Sequence, residues 1–109
     1  MAGVGTTKVF ENDKIIVWEF VLEAGDTTPV HTHEHDYIFY VLDGAPLQVF
    51  DRAGQDLGTL DASTGSVFVL RMEGDELVGV HDPAVRVPAT HAAKNTGTSR
   101  YREILVETK

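Results

Sequence analysis

The run His31-Thr32-His33-Glu34-His35-Asp36-Tyr37 places three imidazoles at alternate positions. The residues that follow, through Val41 and Leu42, are aromatic and β-branched, so the stretch reads as one extended strand. On a strand, side chains at i and i+2 share a face. His31 and His33 can therefore present two imidazoles to a single point. Imidazole nitrogen suits zinc, copper, iron and nickel, and the first chemical expectation is a metal site. His35 has the same parity and is a candidate for an extra ligand or a pocket residue. Glu34 and Asp36 alternate with the histidines and should face away from the metal. Phe39 and Val41 share the parity of His33 and Tyr37, so they are expected to line the same cavity.

Composition limits what that site can be. The 109 residues include no cysteine, so a metal must be held by nitrogen and oxygen, and neither a disulfide framework nor a cysteine nucleophile is available. Seventeen acidic residues against nine basic ones give a formal charge of −8, which argues against nucleic acid or an acidic membrane surface as a partner. A hydrophobic content of 42% belongs to a chain with a core rather than to a disordered one. No segment approaches the roughly 18 consecutive apolar residues of a membrane span. Residues 1–5 show no basic region leading into an apolar core, so a cytoplasmic location is expected. The length suits one compact domain over residues 1–109, with the small, polar residues 1–7 expected to be flexible.

The elements that must carry the histidines read as short strands. Residues 14–22 (KIIVWEFVL) are rich in β-branched and aromatic side chains and end at the turn Glu23-Ala24-Gly25-Asp26. Residues 37–42 form a second apolar run closed by Asp43-Gly44, a hairpin signal. Residues 47–50 are followed by the turn Asp51-Arg52-Ala53-Gly54. Residues 67–72 and 76–80 flank Glu73-Gly74-Asp75 and suggest a hairpin over about 72–82, and residues 101–106 make the last strand. No stretch shows a helical period over helical length. Regularly spaced short strands point to an all-β sandwich or barrel. In residues 14–22 both faces are apolar: Ile16, Trp18, Phe20 and Leu22 on one, Ile15, Val17 and Val21 on the other, interrupted by Glu19. A strand covered on one side only alternates more cleanly, so a second copy of the chain, in a homodimer, is expected to cover the other side. Arg71, Arg102 and His81 are expected at the surface, the two arginines in ion pairs.

The spacing of these residues resembles a known family. Gly25, His31-x-His33, position 37 and Gly44 resemble the first motif of the cupins. Gly65 ahead of Ser66-Val67-Phe68, and His91 followed four residues later by Asn95, resemble the second. The resemblance covers residues 14–109 and is to small single-domain cupins, including some labelled as β-alanine degradation proteins. It implies a double-stranded β-helix, the RmlC-like jelly-roll barrel, often dimeric, with a metal in its mouth. It implies ligation by His31, His33 and His91. The chain departs from the pattern twice. Tyr37 stands where the family has an acidic fourth ligand, and Pro88-Ala89-Thr90-His91 is shorter than the family's turn and lacks its glycine.

Two functions follow. One is a small-molecule metalloenzyme with a three-histidine centre holding iron, manganese, nickel or zinc, and acting as a dioxygenase or by Lewis-acid chemistry. Tyr37 would then be a weak ligand, hydrogen-bond donor or proton carrier. The other is a non-catalytic small-molecule binder using the same barrel.

Overall fold

The computed structural model describes residues 4–109. These form eleven strands: β1 (Thr7–Glu11), β2 (Ile15–Leu22), β3 (His31–Thr32), β4 (Asp36–Asp43), β5 (Ala45–Asp51), β6 (Asp56–Ala62), β7 (Val67–Glu73), β8 (Glu76–Gly79), β9 (Arg86–Pro88), β10 (Thr90–Asn95) and β11 (Tyr101–Thr108). No helix occurs among the described residues. The strands make a seven-stranded sheet, β1-β2-β11-β4-β7-β8-β9, facing a four-stranded sheet, β3-β10-β5-β6. All strand pairs are antiparallel. This is the all-β architecture that the strand spacing implied, in the jelly-roll form that the resemblance implied.

The inner face of the larger sheet follows from alternation. In β11 the buried positions are Tyr101, Glu103, Leu105 and Glu107, with half-buried residues between them. Register sets these against inward residues of the neighbours. Leu105 lies between Trp18 and Phe39, Glu103 between Phe20 and Val41, and Glu107 between Ile16 and Tyr37. Leu47 and Ala62 of the smaller sheet join Phe20, Phe39, Leu70 and Leu105 in one buried cluster. Burying a side chain of that size is worth about 1.5–3 kcal/mol, and this cluster holds the two sheets together.

Four details differ from the sequence reading. First, the stretch 31–42 is not one strand. It breaks at residues 33–35, where the chain passes from the smaller sheet to the larger. Second, Asp43-Gly44 does not turn a hairpin, because β4 and β5 belong to different sheets. Gly44 is needed there for close approach. A Cβ on it would lie 2.5 Å from the Thr64 amide nitrogen and 2.6 Å from the Ala62 carbonyl oxygen. Its own N–H donates to Thr64 Oγ1. Third, the N-terminal stretch expected to be flexible is packed where it is described. Residues 1–3 lie outside the described residues, but Val4 is buried and the Thr6 amide donates to the Glu19 carbonyl at 2.8 Å. Fourth, β1, β6, β9 and β10 are strands that the apolar pattern did not single out. They are short or polar, and cross-strand pairing supplies what their own composition lacks. The hairpins at 51–54 and 73–75 form as expected, the second turning at Gly74 with φ +66°.

Candidate metal centre

His31 and His91 come together through register. β3 and β10 are antiparallel, and His31 pairs directly with His91, as Thr32 does with Thr90. Residues directly opposed on antiparallel strands hold their Cβ atoms about 4.5–5.5 Å apart. His33 lies just past the end of β3, held by its amide, which donates to the Ala89 carbonyl at 2.9 Å. The shortened Pro88-Ala89-Thr90 stretch thus supplies the anchor for one histidine immediately before it places another. The three imidazoles offer ligand nitrogens that all lie within 4.8 Å of one another, and all three residues are buried.

The hydrogen bonds around the rings decide which nitrogens are free. His31 Nδ1 lies 3.0 Å from the Pro29 carbonyl and His91 Nδ1 2.7 Å from that of Pro88. A carbonyl only accepts, so in both rings Nδ1 carries the proton and Nε2 keeps its lone pair. Backbone carbonyls holding the distal N–H of an imidazole are the usual support of a metal-binding histidine. His33 Nδ1 is buried with no partner among the described residues. An orphaned buried nitrogen costs free energy, and a cation bound at that nitrogen would satisfy it. Burial also favours the neutral form of each ring, the form that binds metal. Burial, and then the neighbouring histidines, push His33 down to about 2. Burial pushes His91 down to about 4 against the opposing pull of the Pro88 carbonyl, and lowers His31 in the same way. The donor set therefore fits a divalent metal with open positions.

Tyr37 lies against this group. Its ring stacks on His33, with centroids 4.4 Å apart and planes 15° from parallel. Burial first, and then the carboxyls of Glu103 and Glu107, hold its phenol well above the ordinary range, so it stays protonated. Its hydroxyl has no partner among the described hydrogen bonds. Phe39 stacks behind it at 6.1 Å and then on Phe68 at 4.8 Å. His35 is half-buried and lies outside the three-histidine group, because the bend at 33–35 carries it away from β3. Glu34 and Asp36 are exposed, as alternation required. Asp36 instead accepts from the Met72 amide.

The histidines, Tyr37 and Phe39 line a cavity of about 110 Å³. Its other walls are almost entirely apolar, including Phe20, Leu47, Leu60, Phe68, Leu70, Val85 and Leu105. Val41, expected at this wall, is fully buried in the core and does not border the cavity. Arg71 pairs with Glu73, and Arg102 pairs with Glu19 and Asp43, so neither reaches in. Asn95 is fully buried but serves the fold. Its side-chain amide donates to the carbonyls of Leu22 and Ser99 and accepts from the Gly97 amide.

One ionisable lining residue was not foreseen. Glu103 is 5% exposed, borders the cavity, and accepts the Tyr101 hydroxyl on Oε1 at 2.6 Å. Burial raises its carboxyl to about 7 despite that bond. Glu107 is also buried and accepts from Trp18 Nε1 at 2.6 Å. Parity along residues 101–107 puts both glutamates on one face, but the opposite face carries Ile104 and Val106. Apolar alternation alone therefore did not say which face turned inward.

No protein-family model matches the chain, and no curated protein matches it in sequence. Solved structures do resemble it. A cupin domain from Bordetella pertussis superposes with a TM-score of 0.72 at 18% identity, covering 94% of this chain and 90% of that one. A conserved protein with a double-stranded β-helix domain from Klebsiella pneumoniae gives 0.60 at 15% identity, covering 99% and 80%. The polyketide cyclase RemF from Streptomyces resistomycificus gives 0.54 at 18% identity, covering 93% of this chain and 61% of the cyclase. At these identities the likeness concerns the fold: the chain has the double-stranded β-helix of the cupins.

Proposed function

We propose that this protein is a small-molecule metalloenzyme. His31, His33 and His91 would hold one divalent metal (iron, manganese, nickel or zinc), and Tyr37 would act beside it. The observation that carries the reading is the convergence of three buried, neutral imidazoles, two of them with Nδ1 committed to backbone carbonyls. When bound, such a metal supplies either Lewis-acid polarisation or a route to oxygen chemistry. The chain's own contribution is separate. The apolar walls exclude water and orient a small ligand against the histidines. Tyr37, held protonated by burial, offers a hydrogen bond to a ligand atom that develops negative charge.

The test is elemental analysis of tag-free protein. The wild type is expected to carry close to one metal per chain, and a His31→Ala/His33→Ala variant to carry essentially none. Unchanged stoichiometry in the double variant refutes the assignment.

A second reading, a binder without catalysis, is favoured by one observation: a phenol occupies the place of the acidic ligand in the first motif, leaving three neutral donors. Wild-type protein that holds no metal after purification and after reconstitution supports it.

The same proposal includes a homodimer and a cytoplasmic setting. The outer face of the larger sheet supports the dimer, with Ile38, Tyr40 and Val67 at 39%, 47% and 58% exposure.

A further inference from the structure

Glu103 is the only acidic group among the described residues bordering the cavity, and no lysine or arginine is among them. Its burial is almost complete at 5% exposure. Register places it between Phe20 and Val41, on the strand next to Tyr37's own. One carboxylate oxygen is committed to Tyr101. The other has no protein partner among the described hydrogen bonds, and the residue borders the cavity. That oxygen is not among the fully buried atoms left without a partner, so it keeps access to open space, and the space this residue borders is the cavity, where a ligand's donor can meet it.

The rest of the wall constrains what that ligand is. Phe20, Tyr37, Phe39 and Phe68 present aromatic surface. The volume of about 110 Å³ is of the order of the roughly 150 Å³ apolar cavity that accepts benzene. A molecule of one ring is therefore the natural size. A carboxylate ligand would bring a second negative charge beside Glu103 with no lysine or arginine among the described lining residues to pair it. A hydroxyl can donate to the free oxygen.

We propose that the cavity selects small, neutral, hydroxyl-bearing aromatic molecules over carboxylates of the same size, with Glu103 as the discriminating residue. The proposal rests on the reading that the cavity takes a small molecule, but not on a bound metal. The competing role for Glu103 is simply to anchor Tyr101. Glutamine separates the two, since its carbonyl oxygen still accepts from Tyr101 while the charge is gone.

The experiment titrates phenol and benzoate into tag-free protein at pH 8, followed by amide chemical shifts. It is run as purified and again after EDTA treatment, so that benzoate cannot gain from a metal, with metal content measured on the same batches. In wild-type protein phenol is expected to bind about tenfold more tightly than benzoate or better, as an unpaired like charge in a buried site requires. In Glu103→Gln the ratio is expected to fall to about threefold or less, mainly through tighter benzoate. Three results overturn the proposal: benzoate binding as tightly as phenol to EDTA-treated wild type, an unchanged ratio in the variant, or no binding of either probe. The wild-type comparison stands even if the variant does not fold. Protein that holds no metal as purified or after reconstitution, yet prefers phenol, would defeat the metal assignment and leave this proposal intact. Metal-loaded protein that fails to discriminate after EDTA treatment would do the reverse.

Discussion

Burial sets the protonation of the site before any ligand arrives. His33 and His91, pushed down to about 2 and about 4, must stay neutral in the fold while each accepts a proton near 6.5 once unfolded. Groups with folded values below their unfolded values bind more protons in the unfolded chain, so stability is lost as pH falls below the unfolded value. His31 shifts in the same direction. Glu103 opposes this: raised from 4.5 to about 7, it takes up a proton more readily in the fold and stabilises it as pH falls from 7 towards 4.5. Each group contributes at most about 1.4 kcal/mol per pH unit. Three histidines against one glutamate leave a net loss on acidification from pH 7 to 5. Urea denaturation of EDTA-treated protein should show a lower midpoint at pH 5 than at pH 7, and a higher midpoint at pH 5 would contradict the burial of the imidazoles. The Tyr101 hydroxyl supports Glu103 from outside the cavity. Tyr101→Phe removes that donor and should cost about 1–3 kcal/mol of unfolding free energy, with Glu103 shifted further upward as read by carboxyl-carbon NMR titration.

At the scale of elements, the site depends on where the chain changes sheets. The break at 33–35 separates His31, paired with His91 on β10, from Tyr37, which lies on β4 in the other sheet. Tyr37 nevertheless stacks on His33 across that break. Gly44 makes the opposite crossing, from β4 to β5, with backbone 2.5 Å from where a Cβ would stand. Gly44→Ala must displace backbone rather than a flexible side-chain end, and overpacking of that kind costs about 1–3 kcal/mol. Thermal unfolding should report a drop in melting temperature of several degrees, and an unchanged value would mean that the corner at 62–64 yields freely. These corners mark the limit of what was legible in the sequence. The type and place of β2, β4, β7, β8 and β11 followed from apolar runs and turn residues, and alternation put His31 and His33 on one face. Asp43-Gly44 carried a hairpin signal, yet it serves a sheet crossing, because the close contact that demands glycine comes from residues 62–64, distant in sequence. Glu103 was hidden for a related reason. Both faces of β11 are apolar enough to be inside, and only its pairing with β2 and β4 shows which one is.

At the scale of the molecule, that same ambiguity has a physical source in the outer face. Two rows cross the larger sheet: Val17, Val106, Ile38 and Val69, then Glu19, Ile104, Tyr40 and Val67. Beyond them Arg102 joins Glu19 and Asp43 at 3.2 and 3.5 Å. An apolar sheet surface bordered by ion pairs, on a chain of formal charge −8, is where a second copy can approach without bringing acidic surfaces together. A twofold arrangement makes one patch serve both partners. The dimer proposed from the two-sided apolarity of residues 15–22 is therefore best placed on this face. Tyr40→Lys, in the middle of the second row, puts a charge into the centre of such an interface while standing away from the cavity. Sedimentation velocity at micromolar concentration should give a dimer for wild type and a shift towards monomer for the variant, with association weakened about tenfold or more by the buried, unpaired charge. Phenol binding in the cavity should be unaffected. Wild-type protein that sediments as a monomer would leave the outer face without this partner, and a variant that remains fully dimeric would move the interface elsewhere, with Val9 and Phe10 of β1, at 60% and 51% exposure, the next surface to test.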